Sequence, residues 1–265
     1  MKTTKITGDR IKKYLEEGKR FDGRNLDDFR DIEVELGVSK NAEGSARVKL
    51  GKTDVIVGVK IDVTEPYPDS PDDGNLMVTA ELAAMSSPRF ENGPPQFNAI
   101  ELGRVVDRGI RESKVIETKK LCIKPGEKVW NIYIDIYSIN HDGNLLDAAG
   151  IAAIIALKNS MMPKYDEKEG KIIHGEWSDE KLPMAKDPPI STTFYKIGKE
   201  LVVDPTLEEE DVAKTKITVG SANGVISSIQ KSGEGPFSEE EIAKALDMSG
   251  KVWSDVHKKI EKFLK

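Results

Sequence analysis

The chain has 265 residues, of which 38% are hydrophobic and 32% charged, and it carries a formal net charge of −6. This composition predicts a globular protein with a sizeable core, and the negative balance argues against a basic, nucleic-acid-binding coat over the whole surface, though not against a local basic face. One cysteine, Cys122, excludes a disulfide scaffold, and three histidines leave little for a metal site, so we expect neither metal nor cofactor.

The sequence also predicts where the protein resides. It contains no run of about eighteen apolar residues, so no membrane span and no membrane partner are expected. The charges of residues 1–5 are not followed by the apolar segment that a secretory signal requires. We therefore expect a cytoplasmic protein.

The first half of the chain is predicted to be strands followed by helices. Residues 1–24 are locally basic, and Asp9 is placed to cap a short helix that runs through Leu15 and is stopped by Gly18. Beyond it, apolar and polar residues alternate as in half-buried strands, and two segments have helical periodicity. The predicted strands are 32–36, 46–50, 55–63, 76–82, 120–123 and 129–139, and the predicted helices are 98–117 and 147–162.

The second half repeats this order. Segment 166–189, which is rich in charge and proline, is predicted to be a long connection between the halves. Ser238 with Glu241 forms a capping box at the start of a helix. The predicted strands are 192–197, 200–203, 216–220 and 224–231, and the predicted helices are 238–246 and 249–264.

The order of elements indicates the fold class. Strands followed by helices, twice, predict an α+β architecture in which two β-rich halves pack in one compact domain, 1–265, with an N-terminal helical extension over about residues 1–18. Helix 147–162 is apolar around most of its circumference, so we expect it to be buried at the centre.

The helix predicted at 98–117 carries a row of arginines. Arg104, Arg108 and Arg111 fall on the side opposite its apolar residues, at a spacing that can follow the successive phosphates of an extended strand. The predicted helix has no aromatic residue on which a base could stack, which favours contact with phosphates over base recognition. The alternative is a solvated face, in which the arginines pair with acidic neighbours such as Glu101, Asp107, Glu112 or Glu117.

Three weaker signals have simpler explanations. The acidic run 208–211 resembles a magnesium site but is more typical of a solvated helix start. Asp142 and Asp147 suggest a pair for acid–base chemistry, yet a turn residue and a helix N-cap account for them. His141 lies beside Asp142, but no serine or cysteine nucleophile accompanies it.

Several stretches follow one another in an order that spans nearly the whole chain. They are RFDGR at 20–24, FR at 29–30, ELGRVVDRGIR at 101–111, DIYSINHDGNLLDAA at 135–149, VDPT at 203–206 and SIQKSG at 228–233. In this order they resemble the RNase PH family, and within it the non-catalytic RNase PH-like subunit of the archaeal exosome. The resemblance implies the RNase PH-like fold.

Two residues depart from the family pattern at the positions that bind phosphate. Active members of the family degrade RNA from its 3′ end by phosphorolysis, and two arginines hold the attacking phosphate. Aligned on the family motifs, Asn98 and Leu146 stand at these two positions. Neither side chain is charged, so a phosphate dianion would meet no compensating cation there.

The acidic positions of the family pattern are also altered. The family aspartate aligns with Glu210, or with Asp211 if the alignment slips by one residue, and the next acidic position falls on Lys216. Loss of charge stabilisation of this kind usually costs orders of magnitude in rate. The resemblance therefore implies a family fold without catalytic residues of its own. An exoribonuclease that works through Glu210 or Asp211 is the alternative.

The resemblance implies partners as well. In the archaeal exosome, catalytic and non-catalytic subunits alternate in a hexameric ring of three heterodimers, trimeric RNA-binding cap proteins sit on the ring, and each active site lies between two subunits. The non-catalytic subunit completes that site and helps bind single-stranded RNA. In this setting Arg104, Arg108 and Arg111 are expected to contact RNA, with the expectation firmest for Arg104 and Arg108. Whether the basic segment 1–24 binds RNA or a neighbouring subunit stays open.

Overall fold

The computed structural model describes residues 3–264, apart from the side chain of His174, so Met1, Lys2 and Lys265 of the predicted domain lie outside it. No helix in this described part is long and apolar enough to span a membrane. The α-helices are α1 (Lys5–Glu16), α2 (Phe97–Ser113), α3 (Leu145–Lys158), α4 (Leu207–Val212) and α5 (Glu239–Ile260). The strands are β1 (Ile32–Leu36), β2 (Gly44–Leu50), β3 (Thr53–Thr64), β4 (Asn75–Leu82), β5 (Cys122–Lys124), β6 (Lys128–Asn140), β7 (Met161–Asp166), β8 (Lys171–Lys181), β9 (Ile190–Ile197), β10 (Glu200–Val203), β11 (Thr215–Ala222) and β12 (Val225–Gly233).

The first sheet has the strand order β1-β2-β3-β6-β4, with β5 paired to β6. Its pairs are antiparallel except β4–β6, which is parallel. In the central strands, residues such as Val57 and its partner Ile136 are buried and their neighbours are less so, because one face covers the core. The strands predicted from this alternation are confirmed with small shifts at their ends, except that residues 120 and 121 of the strand predicted at 120–123 lie in a 3-10 helix, Thr118–Leu121.

The second sheet has the order β10-β9-β11-β12, and helix α3 lies between the two sheets. Helix α3 contacts β2, β3 and β9, and Ala148, Ala149 and Ile155 on it are fully buried. The predicted central helix is therefore confirmed. One hydrophobic core draws residues from both sheets, α2, α3 and α5, so the two β-rich halves pack together as the α+β fold class predicts.

The turn from β6 into α3 requires glycine. Gly143 has φ 90°, and a Cβ atom at this position would lie 2.4 Å from the carbonyl oxygen of Pro205. Only a residue without a side chain lets the two backbones approach so closely. This contact places Asp142 and Asn144 beside the segment that joins β10 to α4.

The prediction that 166–189 is only a connection is wrong, because half of it is strand. Strands β7 and β8 form a two-stranded antiparallel ribbon, and helix α3 ends at Lys158 rather than at 162. The charges that suggested a loop lie on the exposed ribbon, where Lys164 pairs with Glu176 at 2.8 Å. Pro163 sits where the register shifts, so its missing N–H interrupts no regular ladder.

Several helix ends differ from prediction. Helix α1 is capped by Thr4, whose side chain accepts from the Thr7 amide, and not by Asp9, so the helix starts four residues before Asp9. Helix α2 begins one residue early, at Phe97, and ends at Ser113 because Lys114 adopts a left-handed conformation with φ 53°. The apolar residue Ile116 then bridges to Met184 as an extended segment.

The two predicted C-terminal helices are one. Helix α5 runs unbroken for 22 residues, and its capping box of Ser238 and Glu241 is confirmed. Ser249 and Gly250 suggested a break, but the Ser249 hydroxyl donates back to the Leu246 carbonyl within the helix. A continuous buried face that includes Val252 outweighs the low helix propensity of this pair.

Candidate functional site

Helix α2 presents its arginines as the helical wheel predicts. Its apolar face packs on β4 and α3, and Arg104 and Arg108 are exposed on the opposite side. Within residues 3–264, neither arginine forms an ion pair. The prediction that α2 lacks aromatic residues is wrong, because the helix begins at Phe97, which is 75% exposed. Ile100 is 52% exposed, and both residues lie on the same helical face as the arginines.

Arg111 differs from the other two arginines. Its guanidinium forms hydrogen bonds of 2.7 and 3.1 Å with the Asp107 carboxylate and a third, of 3.0 Å, with the Leu76 carbonyl. The hydrogen bond with Asp107 is the largest influence on the pKa of Arg111 and raises it above its usual value. The alternative of a charge-paired surface is therefore realised at Arg111 alone.

Glu101, one turn before Arg104, is paired across the structure. Its carboxylate accepts a hydrogen bond of 3.1 Å from the ammonium group of Lys216 on β11, which also lies 5.9 Å from the centre of the Tyr195 ring. The side chains of Glu101 and Lys216 are only 12% and 19% exposed, so this ion pair is partly shielded from water.

Glu101 and Lys216 line a pocket of about 110 Å³ between the two sheets. The residues at the altered family positions, Asn98, Leu146, Glu210 and Lys216, all contribute to it, as the alignment on the family motifs predicts. Its other lining residues are Leu82, Phe90, Glu101, Leu102, His141 and Leu145.

Among the described residues that line the pocket, none carries an unpaired positive charge. Its one ammonium group, that of Lys216, is held by Glu101, and Glu210 adds a second carboxylate. Burial lowers the pKa of His141, which stacks on Phe90 at 5.3 Å, so the imidazole is neutral at pH 7. Glu210 accepts a hydrogen bond of 2.8 Å from the Asn144 amide. An anion that entered the pocket would be repelled by the carboxylates of Glu101 and Glu210.

The neighbouring Asp211 is fully occupied elsewhere. Its two oxygens accept from the Arg89 guanidinium at 2.8 and 2.7 Å, and one of them also accepts from the Thr3 amide and hydroxyl, both at 2.8 Å. Burial alone would raise the pKa of Asp211, but these hydrogen bonds lower it below its usual value. Arg89 borders a cleft of about 390 Å³ between β4 and segment 89–99. Asp211 is therefore not available as a substitute for Glu210.

The arginines near the N-terminus turn inward. Arg20 is fully buried and donates to the Glu209 carboxylate at 3.0 Å and to the carbonyls of Val203 and Asp204 at 3.0 and 2.9 Å. Arg24 donates to the Asp204 carboxylate at 2.9 Å. Arg20 and Arg24 thus join the N-terminal segment to the second half of the chain.

Asp204 is the centre of this network. Arg30 donates to both of its oxygens, at 2.7 and 2.9 Å, and Asn144 donates to one at 3.0 Å. Asp204 itself has φ 44°, a strained conformation that these bonds maintain. The pairing of these motif residues cannot be predicted from side-chain periodicity, since partners such as Arg30 and Asp204 lie 174 residues apart.

Asp147 is buried rather than a helix cap. Asn144 is the residue before α3, and Asp147 accepts from the Asn144 side chain at 3.0 Å, the Thr193 amide at 3.1 Å and the Thr193 hydroxyl at 2.7 Å. Burial raises the pKa of Asp147 to about 7, against these hydrogen bonds, which favour the charged form. The N-cap prediction for Asp147 is therefore wrong, although Asp147 does lie in the first turn.

The acidic run 208–211 is divided among different partners. Glu209 is buried against Arg20, Glu210 lines the pocket, Asp211 holds Arg89, and Glu208 is exposed. The described part of the chain contains no group of three or more histidine, cysteine or acidic residues that could hold a metal ion. The prediction of a wholly solvated helix start is wrong for Glu209, whose partner comes from a distant part of the sequence.

Comparison with known proteins first defines the class. The profiles of the 3′ exoribonuclease family match this sequence twice, with domain 1 over residues 28–163 and domain 2 over residues 187–252. The chain belongs to this family. The pocket lies where both matched segments contribute residues, since Leu146 belongs to the first and Glu210 to the second.

Within this family, the chain is similar to several individual proteins. The exosome complex component Rrp42 of Thermococcus onnurineus is 49% identical over 259 residues, which cover 96% of this chain and 94% of that protein. A chain in the structure of the Archaeoglobus fulgidus exosome with RNA bound to the active site is 42% identical, with a TM-score of 0.88, covering 96% of this chain and 98% of the other. A chain of an archaeal exosome core is 39% identical, with a TM-score of 0.84 and coverages of 98% and 97%.

Proposed function

We propose that this chain is a non-catalytic subunit of an archaeal exosome, a ring that degrades RNA from the 3′ end by phosphorolysis. The observation that carries the proposal is the charge of the pocket, where Glu101 and Glu210 face the single ammonium group of Lys216. Inorganic phosphate would lose its hydration there and gain no cation in return. The similarity to named exosome components over nearly the full chain supports the assembly.

The proposal includes the partners. A catalytic RNase PH-like subunit alternates with this chain in three heterodimers, RNA-binding cap proteins sit on the ring, and the chain acts in the cytoplasm as one folded unit, 1–265. The exposed Phe97 and Ile100 on α2 support a protein neighbour, because apolar side chains that are this exposed are commonly covered in an assembly. The face that they share with Arg104 and Arg108 then borders an inter-subunit groove.

In that groove, Arg104 and Arg108 hold the phosphates of single-stranded RNA and guide its 3′ end toward the active site of the catalytic subunit. Both are exposed and lie one turn apart, and within residues 3–264 neither is engaged by a carboxylate. Guanidinium groups bind phosphate without reading the base, which suits an exonuclease that is indifferent to sequence. Arg111 is bound to Asp107, so its guanidinium group makes no phosphate contact of its own.

The test is phosphorolysis by the purified chain. We expect no release of nucleoside diphosphates from poly(A) and phosphate by the chain alone, and release once the catalytic RNase PH-like subunit is added. Diphosphate release by the chain alone that disappears in Glu210→Gln would instead establish the rival function, a phosphorolytic enzyme that works through Glu210. Asp211→Asn serves as the matched control, because Asp211 is bound to Arg89 outside the pocket.

A further inference from the structure

Arg104 is flanked by two carboxylates on its own helix. Glu101 lies three residues before it and Asp107 three residues after it, and side chains at this spacing are neighbours on a helix surface. Either carboxylate would be a natural partner for the guanidinium group and would compete with an RNA phosphate for it. Yet both are bound to other cations, Glu101 to Lys216 at 3.1 Å and Asp107 to Arg111 at 2.7 Å.

We propose that Lys216 and Arg111 are positioning residues that keep Arg104 available to RNA by occupying Glu101 and Asp107. This inference rests on the proposed function and adds to it two residues that act without touching RNA. It also explains why a helix with as many carboxylates as arginines leaves Arg104 unpaired within the described residues.

The two ion pairs are built differently, which makes the inference testable twice. Lys216 approaches from β11, 115 residues away in sequence, and its pair with Glu101 is partly buried. Arg111 lies on α2 itself, one turn beyond Asp107, and is further fixed by the Leu76 carbonyl. Loss of either cation leaves one carboxylate without a partner next to Arg104. An unpaired carboxylate beside Arg104 then competes with phosphate by pairing with the guanidinium group.

The experiment uses the ring reconstituted with its catalytic subunit and a fluorescein-labelled oligo(A), with affinity measured by anisotropy as salt is varied. We expect Lys216→Met and Arg111→Met each to weaken binding about two- to threefold at low salt, the size of a helix-surface ion pair. Glu101→Gln should restore the affinity of Lys216→Met, and Asp107→Asn that of Arg111→Met. The crossed combinations, such as Glu101→Gln with Arg111→Met, should restore nothing.

A second background separates this inference from the proposed function. In Arg104→Met, which should itself bind RNA more weakly, we expect Lys216→Met and Arg111→Met to cause no further loss. An equal loss in that background, or failure of the matched carboxylate change to restore affinity, would overturn the inference and indicate direct contact of Lys216 or Arg111 with RNA. Unchanged binding by Arg104→Met would instead reject RNA contact by Arg104. If Lys216→Met fails to fold by circular dichroism, the Arg111 and Asp107 pair carries the test.

Discussion

Removal of the two exposed arginines on α2 gives the most direct test of the proposed RNA interface. In Arg104→Met/Arg108→Met the aliphatic part of each side chain is kept and only the charge is lost. Each phosphate contact to a single strand releases about 0.7 of a counterion, so the slope of log affinity against log salt should become shallower by about 1.4. The same relation gives about a fivefold loss per contact in 0.1 M salt, and about 25-fold for both.

The assay is anisotropy of labelled oligo(A) on the reconstituted ring between 0.05 and about 0.3 M salt, a range over which the slope is measurable. Lys258→Met/Lys262→Met, which removes two charges near the end of α5, is the matched control and should leave the slope unchanged. If both double variants lose affinity equally, the effect is one of overall charge. If neither variant changes the slope, the arginines are solvated surface and the reasoning from their exposure fails.

Two further predictions concern the buried groups. Arg20→Met leaves the Glu209 carboxylate buried without its cation, so urea unfolding should show a loss of about 3–5 kcal/mol, with part regained in Arg20→Met/Glu209→Met. Lys12→Met, which breaks an exposed pair with Asp9, should cost less than about 1 kcal/mol, and equal costs would contradict this. Because the folded-state pKa of Asp147 is raised to about 7, the folded protein keeps a proton on Asp147 that the unfolded chain releases, and the contribution of Asp147 to stability falls as the pH rises through this window. Relative to the wild type, Asp147→Asn should therefore gain stability from about pH 4 to about pH 7, by at most about 1.4 kcal/mol per pH unit, whereas parallel curves of stability against pH would refute the assignment.

The sequence predicts the fold well where the periodicity of apolar side chains alone determines the type of element. Strand β6 alternates between buried and less buried residues, and α3 is apolar on all sides, so both were predictable. The ribbon of β7 and β8 was not, because its residues are charged and exposed and its pairing depends on only two strands. The unbroken helix α5 was missed for a related reason, since tertiary packing of residues such as Val252 overrides the local preference of Gly250.

The candidate site also has a part that the sequence predicts and a part that it does not. The exposed row of Arg104 and Arg108 follows from helical spacing, and the pocket residues follow from the family resemblance. The pairing of Glu101 with Lys216 could not be predicted, because the lysine comes from a strand of the second sheet. Likewise, nothing near Arg20 in the sequence indicates that its partner is Glu209.

The hydrogen bonds that join Thr3 and Arg89 through Asp211 have a practical consequence for anyone who prepares this protein. An affinity tag fused ahead of Thr3 would perturb the hydrogen bond between the Thr3 amide and Asp211. Because Asp211 also binds Arg89, the perturbation would reach the rim of the cleft beside β4. An affinity tag is therefore better attached after α5, so that ligand binding measured at the cleft is that of the native sequence.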